Sequence, residues 1–423
     1  HNTPQVILNG IYDSIGFGAI GDDILRHLVI ARVCEPSSKV ATVEYLKSYF
    51  DEDIRLHNIY RYMDRLYSSQ REKVQRISVA HTMKVLGGRI GLVFYDVTTL
   101  YFESKPNPDD TLRQAGFSKD GKTSESQIVL GLLVSEDGYP LSYSIFNGSQ
   151  YEGRTMIPII DDFVQRFGLE DFVVVADSGL MSTKNVALLE SAGYKYIIGA
   201  RIKSESPELR AWMMSVEWTD GAIAECRRTG AQRLIVGYSE VRARKNAWNR
   251  DKGVERLRKA YAKGTLTKQD VNRRGYNKFL DISKDIEVSI NEDKIAEDSR
   301  WDGLKGYVTN TSLPASEVIA QFRIGKGTLE MRPIFHFTER RIEAHICICF
   351  IAYKVYKELE RRMREIGMNM SVDRLLAIAK TVTTLRIRLP NGQLHSETLY
   401  TTPQQEAIRP LIEILARDAR TRG

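Results

Sequence analysis

The sequence predicts an α/β fold: a mixed five-stranded sheet with its helices, interrupted by a β-rich and basic insertion and preceded by a helical N-terminal domain. Three observations carry this. Apolar residues recur at helical spacing up to residue 88, and at Gly87-Gly88 the period becomes strand-like. From there to residue 201 the elements run β-β-β-α-β-α-β. Beyond residue 202 the alternation stops, and helices return only after residue 310. Three antiparallel strands followed by alternating helices and strands are what a ribonuclease-H-like core requires.

In chain order, residues 10 to 90 read as four or five helices. Asp22 to Val33 has helical apolar spacing and is broken by Pro36. Ser38 to Phe50, Leu56 to Leu66 and Glu72 to Leu86 continue the pattern. Arg89 to Phe102 is the first strand. A polar loop with Pro106, Pro108, Gly116 and Gly121 follows, then a hairpin of Gln127–Val134 and Pro140–Phe146 about Glu136-Asp137-Gly138. Thr155 to Phe167 is an amphipathic helix, Phe172 to Ala176 a buried strand, Thr183 to Ser191 a helix, and Tyr194 to Arg201 the fifth strand. Ala222 to Tyr238 reads as strands, the basic stretch after it as helix, and Phe279 to Ile295 as short mixed elements. Arg340 to Arg364 and Ser371 to Thr384 are helical, Leu385 to Leu389 is strand-like, and a polar tail closes the chain. The expected division is a helical domain at 1–88, the first part of the core at 89–201, an insertion at 202–310, completion of the core at 311–389, and a tail at 390–423.

At 423 residues the chain is long enough for two to three domains, at roughly 150 residues per domain. It contains no uncharged apolar run long enough to span a bilayer, and no secretory signal precedes Val6, so a soluble protein is expected. It opens on His1 rather than methionine, which reads as a fragment. Cys34, Cys226, Cys347 and Cys349 include no CxxC pair and form no disulfide framework, as suits a reducing cytoplasm. Lys and Arg number 61 against 54 Asp and Glu, a formal charge of +7 that favours polyanionic partners. The charge is concentrated. Between Arg242 and Arg274 lie Arg242, Arg244, Lys245, Arg250, Lys252, Arg256, Arg258, Lys259, Lys263, Lys268, Arg273 and Arg274, against only Asp251, Glu255 and Asp270. Trp248, Tyr261 and Tyr276 are interleaved with them. Such a segment suits backbone phosphates, with some stacking on exposed bases or sugars; as a plain charge run it would be a solvated face.

Two carboxylates stand out. Asp96 interrupts Gly-Leu-Val-Phe-Tyr-Asp-Val-Thr-Thr-Leu and Asp177 ends Phe-Val-Val-Val-Ala-Asp. Each run reads as a doubly buried strand, in which an unpaired carboxylate would cost several kcal/mol, roughly. In a ribonuclease-H-like sheet the first and fourth strands are parallel neighbours, which would place the two acids side by side. Carboxylates so placed suit Mg²⁺ or Mn²⁺, and two ions about 3.5–4 Å apart serve phosphoryl transfer. The bland alternative is that both merely cap turns at strand ends.

The chain resembles the DDE transposases of bacterial insertion sequences, in the superfamily named for its YREK signature. The resemblance runs from about Arg32 to Glu358. It is carried by Phe-Tyr-Asp-Val-Thr-Thr-Leu-Tyr-Phe around Asp96, Gly116-Phe-Ser-Lys-Asp-Gly-Lys, Gln-Ile-Val-Leu-Gly-Leu-Leu from Gln127, and Val-Ala-Asp-Ser-Gly around Asp177. Met331-Arg-Pro-Ile-Phe-His and Arg341-Ile-Glu-Ala-His complete the ordered set. It implies that Asp96 and Asp177 are catalytic metal ligands for two Mg²⁺ or Mn²⁺ ions, and that a Glu on a later helix completes the triad. Lys326, with Arg323 beside it, would contact a phosphate near the cleavage site. The YREK pattern places the Glu seven positions before that Lys, where Ile319 stands, as though a segment had been lost between Gln321 and Phe322. Glu317 is the nearest surviving acid, two positions out of register. The resemblance further implies double-stranded DNA (element ends and target) as partner, a homodimer on DNA, and a bacterial, nucleoid-associated location in the cytoplasm.

Other candidates weigh less. Glu343 begins a packed helix and reads as structural. His336, His345, Cys347 and Cys349 invite zinc, but successive i to i+2 positions on a helix point about 200° apart, so core packing accounts for them better. Arg55, His57, Arg61 and Arg65 lie on or near one helix and resemble a DNA-binding surface without establishing a helix-turn-helix. The function expected is metal-dependent DNA cleavage and strand transfer. The alternatives are a catalytically inactive remnant that still binds DNA, and a ribonuclease-H-like nuclease.

Overall fold

The computed structural model describes residues 3–420 apart from 103–106, 108, 117–124, 151–153, 181, 273–274, 283–287, 325–333, 335, 389 and 391. They form two compact units, residues 1–172 with 324–423, and residues 173–323. The first unit opens with α1 (Thr3–Ile15), α2 (Asp23–Cys34), α3 (Lys39–Phe50), α4 (Leu56–Arg65) and α5 (Arg71–Val85), followed by β1 (Leu92–Phe102), β2 (Ser126–Ser135), β3 (Pro140–Asn147) and α6 (Met156–Phe167). The second holds β4 (Val173–Ala176), α7 (Thr183–Ser191), β5 (Lys195–Ala200), α8 (Pro207–Ser215), β6 (Ile223–Arg227), β7 (Arg233–Tyr238) and α9 (Glu240–Ala262). It continues with β8 (Leu280–Ile282), β9 (Val288–Ile290), α10 (Glu292–Ser299), β10 (Leu304–Thr309) and α11 (Ala315–Ile324). The chain then returns to the first unit with α12 (Glu339–Glu365), α13 (Val372–Ala379), β11 (Thr383–Arg388), β12 (Leu394–Leu399) and α14 (Pro403–Arg420).

Helix starts follow the capping residues. Asp22 accepts from the Ile24 and Leu25 amides to open α2, Ser38 accepts from Ala41 to open α3, and Ser182 does the same for α7 from Asn185. The amphipathic α6 buries Ile159, Ile160 and Phe163 and stops at Gly168, whose φ of 59° lies in the left-handed region that glycine adopts at no steric cost.

In the first unit β2 lies between β1 and β3, antiparallel to both, with Asp96 opposite Leu132. Every residue of β2 is buried, so this strand is the centre of its sheet portion. Its helical counterpart is α12, which from Ala344 to Ala352 is apolar on all sides except for His345 and is buried on all sides, as a helix threaded through a core must be. It packs on α1, α2, α4, α5 and β3. The N-terminal helices therefore share a core with the first three strands. The C-terminal segment is not a tail: β11 and β12 form a hairpin, and α14 buries Ile408, Leu411 and Leu415. Leu415 approaches Gly10 of α1 so closely that a Cβ there would lie 3.2 Å from the Leu415 Cβ.

In the second unit the strand order is β4-β5-β10-β7-β6. β4 and β5 are parallel; β10 is antiparallel to both β5 and β7, and β6 and β7 form a hairpin. The region expected as an insertion thus lends β10, β7 and β6 to the sheet that holds β4 and β5. Only α9, the β8–β9 hairpin and their neighbours build a separate small core, of Val254, Leu257, Phe279 and Leu280.

Candidate active site and nucleic-acid interface

Asp96 sits in β1 directly after the buried run Leu92 to Tyr95, yet its own side chain is exposed. Asp177 follows the buried end of β4 and is exposed as well; it accepts from the Ser178 amide at 2.7 Å, and its carbonyl receives the Leu180 amide. The expectation of two carboxylates penalised by burial is corrected here. Asp96 begins an exposed to half-buried stretch, residues 96–99, inside β1, whose burial resumes at Leu100, and Asp177 lies just past the buried end of β4. Exposure leaves the oxygens accessible to ligands from solvent, which burial would have denied them.

Asp96 has a neighbour that sequence reasoning missed. The Tyr353 phenol of α12 is pushed up to about 12, first by burial and then by the nearby carboxylates of Glu360 and Asp96. The face of β1 that bears Asp96 is therefore close to α12, and Tyr353 stays protonated across the working range of pH. Glu360 itself pairs with Lys357. No sequence signal marks Tyr353, since an aromatic at helical spacing in a core helix reads as packing.

The third acid is where sequence and structure bear hardest on each other. Ile319 is 5% exposed and lies over the sheet, so that a Cβ added at Gly237 would meet its Cδ1 at 3.1 Å. Val318 beside it is fully buried. Glu317 is exposed in the first turn of α11 and accepts from the Gln321 side-chain amide at 2.9 Å. Phe322 packs edge-on against Tyr307 at 4.8 Å between ring centroids, and Arg323 is exposed. Lys326 and Met331-Arg-Pro lie outside the described residues, as does most of the motif that begins at Gly116. Among the described residues, no three His, Cys, Asp or Glu side chains gather in an arrangement that holds a metal ion.

Glu343 is half-buried rather than at an exposed helix start. It pairs with Arg71 of α5, and burial raises its carboxyl against the pull of that guanidinium. This supports its structural role. The His and Cys candidates also resolve into packing, with one contact the spacing argument did not foresee. His345 Nε2 lies 3.5 Å from Cys349 Sγ, one helical turn on, and its Nδ1 lies 3.4 Å from Lys39 Nζ. The His336 ring stands 5.3 Å from that of His345; burial, Lys39 and Arg341 lower its pKa to about 4. Burial pushes the Cys347 thiol up to about 12.

The basic segment folds mainly as α9. One face buries Gly253, Val254 and Leu257, and a Cβ at Gly253 would fall inside the Tyr276 ring, so the helix can approach only as glycine. Arg250 is on this inner face. It is buried and donates from both Nη atoms to Asp302 at 2.6 and 2.7 Å, which removes it from the expected phosphate contacts and makes it a tie between α9 and β10's entry. Arg258 pairs with Glu292 and Lys259 with Glu255, both at the surface. Arg244 is 3.9 Å from Glu240. Lys245, Lys252 and Arg256 are exposed and have no acid partner among the described residues, while Arg242 is half-buried near Tyr307. Arg273 and Arg274 lie outside the described residues. In the first unit, Arg55, His57, Arg61 and Arg65 are all exposed about α4, whose inner face buries Ile59, Tyr62 and Met63. A single π-helical turn, Leu66–Gln70, carries α4 into α5.

The first unit thus carries an exposed acid, Asp96, within β1, and the second carries an exposed acid, Asp177, just past β4, together with the cationic helix α9. The family model described as a transposase DDE domain matches residues 87–353, well over half of the chain, and the chain belongs to that family. It is a transposase of the DDE class, whose chemistry is cleavage and transfer of DNA strands in recombination. No curated protein matches the chain. Among solved structures, it is similar to the piggyBac transposase synaptic complex with hairpin DNA at 9% identity, over 97% of this chain and 72% of that one, with a TM-score of 0.43. A Mos1 transposase paired-end complex with the left transposon end matches at 10% identity over 38% of this chain and 59% of that chain, with a TM-score of 0.19. The Mos1 mariner paired-end complex with Mn matches at 8% identity over 38% and 54%, with a TM-score of 0.18. Family membership rests on the family model and not on these distant likenesses. Among the described residues no helix is long and apolar enough to cross a membrane.

Proposed function

We propose that Asp96 and Asp177 are the catalytic carboxylates with which this transposase cleaves double-stranded DNA at element ends and transfers the freed 3′-hydroxyl to target DNA. The observation that supports this is their exposure: Asp96 follows the buried run Leu92 to Tyr95 within β1, Asp177 follows the buried end of β4, and both are exposed inside the residues matched by the family model. An all-oxygen donor set fits Mg²⁺ or Mn²⁺, which when bound polarises phosphate oxygens and makes a hydroxyl or water a better nucleophile. The protein's own contribution is to carry one carboxylate on β1 and the other directly after β4, and to hold phosphates with the exposed cations of α9, with Arg323 and with Lys326. The cations around α4 add a second phosphate-binding surface. The ordered motifs resemble those of bacterial insertion-sequence transposases, and the resemblance supports reading the chain as a homodimer on paired ends with a nucleoid location.

Glu317 is the substitute third ligand in this reading, since it is exposed and tied only to Gln321. The buried Ile319 favours a second reading, a DNA-binding remnant without catalysis. Cleavage and strand transfer with Mg²⁺ or Mn²⁺ separate them. Activity in the wild-type chain, abolished in Asp96→Asn and Asp177→Asn with DNA binding near normal, is the expected result. Retained catalysis in either variant refutes the carboxylate assignment, and absence of any metal-dependent nicking by the wild-type chain leaves the remnant.

A further inference from the structure

The hairpin of β11 and β12 belongs to the first unit but takes little part in its packing. Its two strands contact each other along their length and touch the other helices and strands only marginally. A two-stranded hairpin without such support is marginally stable in water. This one also exposes apolar side chains: Leu385 is 44% and Ile387 50% exposed. The register sets Leu385 opposite Glu397 and Ile387 opposite His395, so these four side chains share one face, and Glu397 and His395 are exposed on it as well.

The two edges of the hairpin differ in charge. β11 carries Arg386 and Arg388 and no acid, so two copies of that edge laid together bring no opposite charges into register, and charged residues of one sign on an edge discourage pairing. β12, Leu-His-Ser-Glu-Thr-Leu, carries one group of each kind two positions apart. Residues directly opposite in an antiparallel pair lie on the same face. A twofold axis through Ser396 therefore sets His395 of either strand against Glu397 of the other, and this edge is complementary to itself.

We propose that β12 is an assembly surface for a second copy of this chain, which pairs its own β12 antiparallel to it about Ser396 and completes a four-stranded sheet of order β11-β12-β12-β11. On one face each of two symmetric rows then reads Leu385, Glu397, the partner's His395 and the partner's Ile387, with a charge pair in the centre and an apolar residue at each end. The pairing adds a ladder of backbone hydrogen bonds along β12 and gives each hairpin the further strands that it needs for stability. A six-residue edge is a small interface, so free chains associate weakly, whereas two chains held on one DNA meet at a much higher effective concentration. The inference rests on the reading of the chain as a homodimer on DNA and adds the surface through which two copies meet.

The test is sedimentation velocity of the full chain without DNA, over the micromolar to submillimolar range, for wild type, His395→Glu, and His395→Glu combined with Glu397→His. The wild type is expected in reversible monomer–dimer equilibrium. His395→Glu sets glutamate against glutamate in both central pairs and is expected to weaken dimerisation roughly 4- to 700-fold. The combined exchange restores opposite charges across the axis and should return the equilibrium to within about twofold of wild type. Dimerisation that His395→Glu leaves unchanged, or that the exchange does not recover, overturns this surface, while a dimeric wild type keeps the homodimer reading. A wild-type chain that is monomeric without DNA also overturns the surface, and one that stays monomeric on duplex DNA overturns both.

Discussion

Removing the Glu358 carboxylate will unlock the first unit from its centre. Glu358 lies on α12 and is 1% exposed, yet it is ionised, and its neighbours explain how. Arg361 donates from Nε and Nη2 at 2.9 and 2.7 Å, the Tyr139 hydroxyl donates at 2.5 Å, and His81 Nε2 stands 3.7 Å away. Against the penalty of burial, these partners hold the carboxyl well below its usual range. The fully buried Lys354 sits one turn earlier, donates to the Ser78 carbonyl and to Thr82, and lies 3.9 Å from the centroid of the Tyr139 ring; Glu358 is the one carboxylate that favours its charge. Glu358→Ala leaves the Tyr139 phenol without its acceptor and the Arg361 guanidinium with Glu365 alone, and removes a carboxylate that favours the Lys354 charge, a loss of about 3–5 kcal/mol for one partner of a buried pair. Because two units need not unfold together, the assay is hydrogen exchange resolved by segment. Peptides from α5 and α12 should lose that much opening free energy, with those from β7 and α9 unchanged. The sign with pH follows from the lowered pKa: this stabilisation is present above about pH 4.3, the ordinary Glu value, and is lost as pH falls through the folded value, so Glu358→Gln should flatten the acid limb of the first unit's stability. A loss under about 1 kcal/mol in Glu358→Ala would refute the reasoning.

Three further outcomes test other parts of the structure. If six cations of the basic segment and α4 meet phosphates, log K for duplex DNA should fall with a slope near −5 against log salt, and Lys245→Gln with Arg256→Gln should lower that slope by about two; a slope near zero in titrations would remove the DNA interface. Arg250→Ala should destabilise the second unit by about 3 kcal/mol in urea denaturation followed by tryptophan fluorescence, since all four tryptophans lie in that unit, with strong non-additivity against Asp302→Ala, and should leave the salt slope unaltered. Burial lowers the Lys39 pKa from 10.5 to about 8, so the unfolded chain binds the extra proton between those values and Lys39 destabilises the fold most at and below pH 8. Lys39→Met should therefore raise the stability of the first unit at pH 7, by up to about 3 kcal/mol, and the gain should shrink as pH rises towards 10.5; a gain independent of pH would refute the titration.

Local signals read well wherever they were complete in the chain. The strands β1 to β5 and the helices α2 to α7 fall within a few residues of the bounds that periodicity, caps and glycines predict, because each of those signals acts over one or two turns. The end of the chain was misread for a similar reason. Ile408, Leu411 and Leu415 have helical spacing, but with so many charges among them the segment looks solvated until Gly10 of α1 is seen to receive it.

The sequence by itself determined that one acid interrupts an apolar strand run and another ends one, that a basic helical segment follows, and that an apolar residue, Ile319, stands where the family pattern calls for Glu. Tertiary structure alone decided which of these side chains meet solvent. It exposed Asp96 and Asp177 where strand composition implied burial, turned Arg250 inward to Asp302 while leaving Lys245 and Lys252 outside, and buried Ile319 over the sheet. Periodicity assigns a residue to a face, but accessibility depends on what packs against that face, and those partners come from distant parts of the chain.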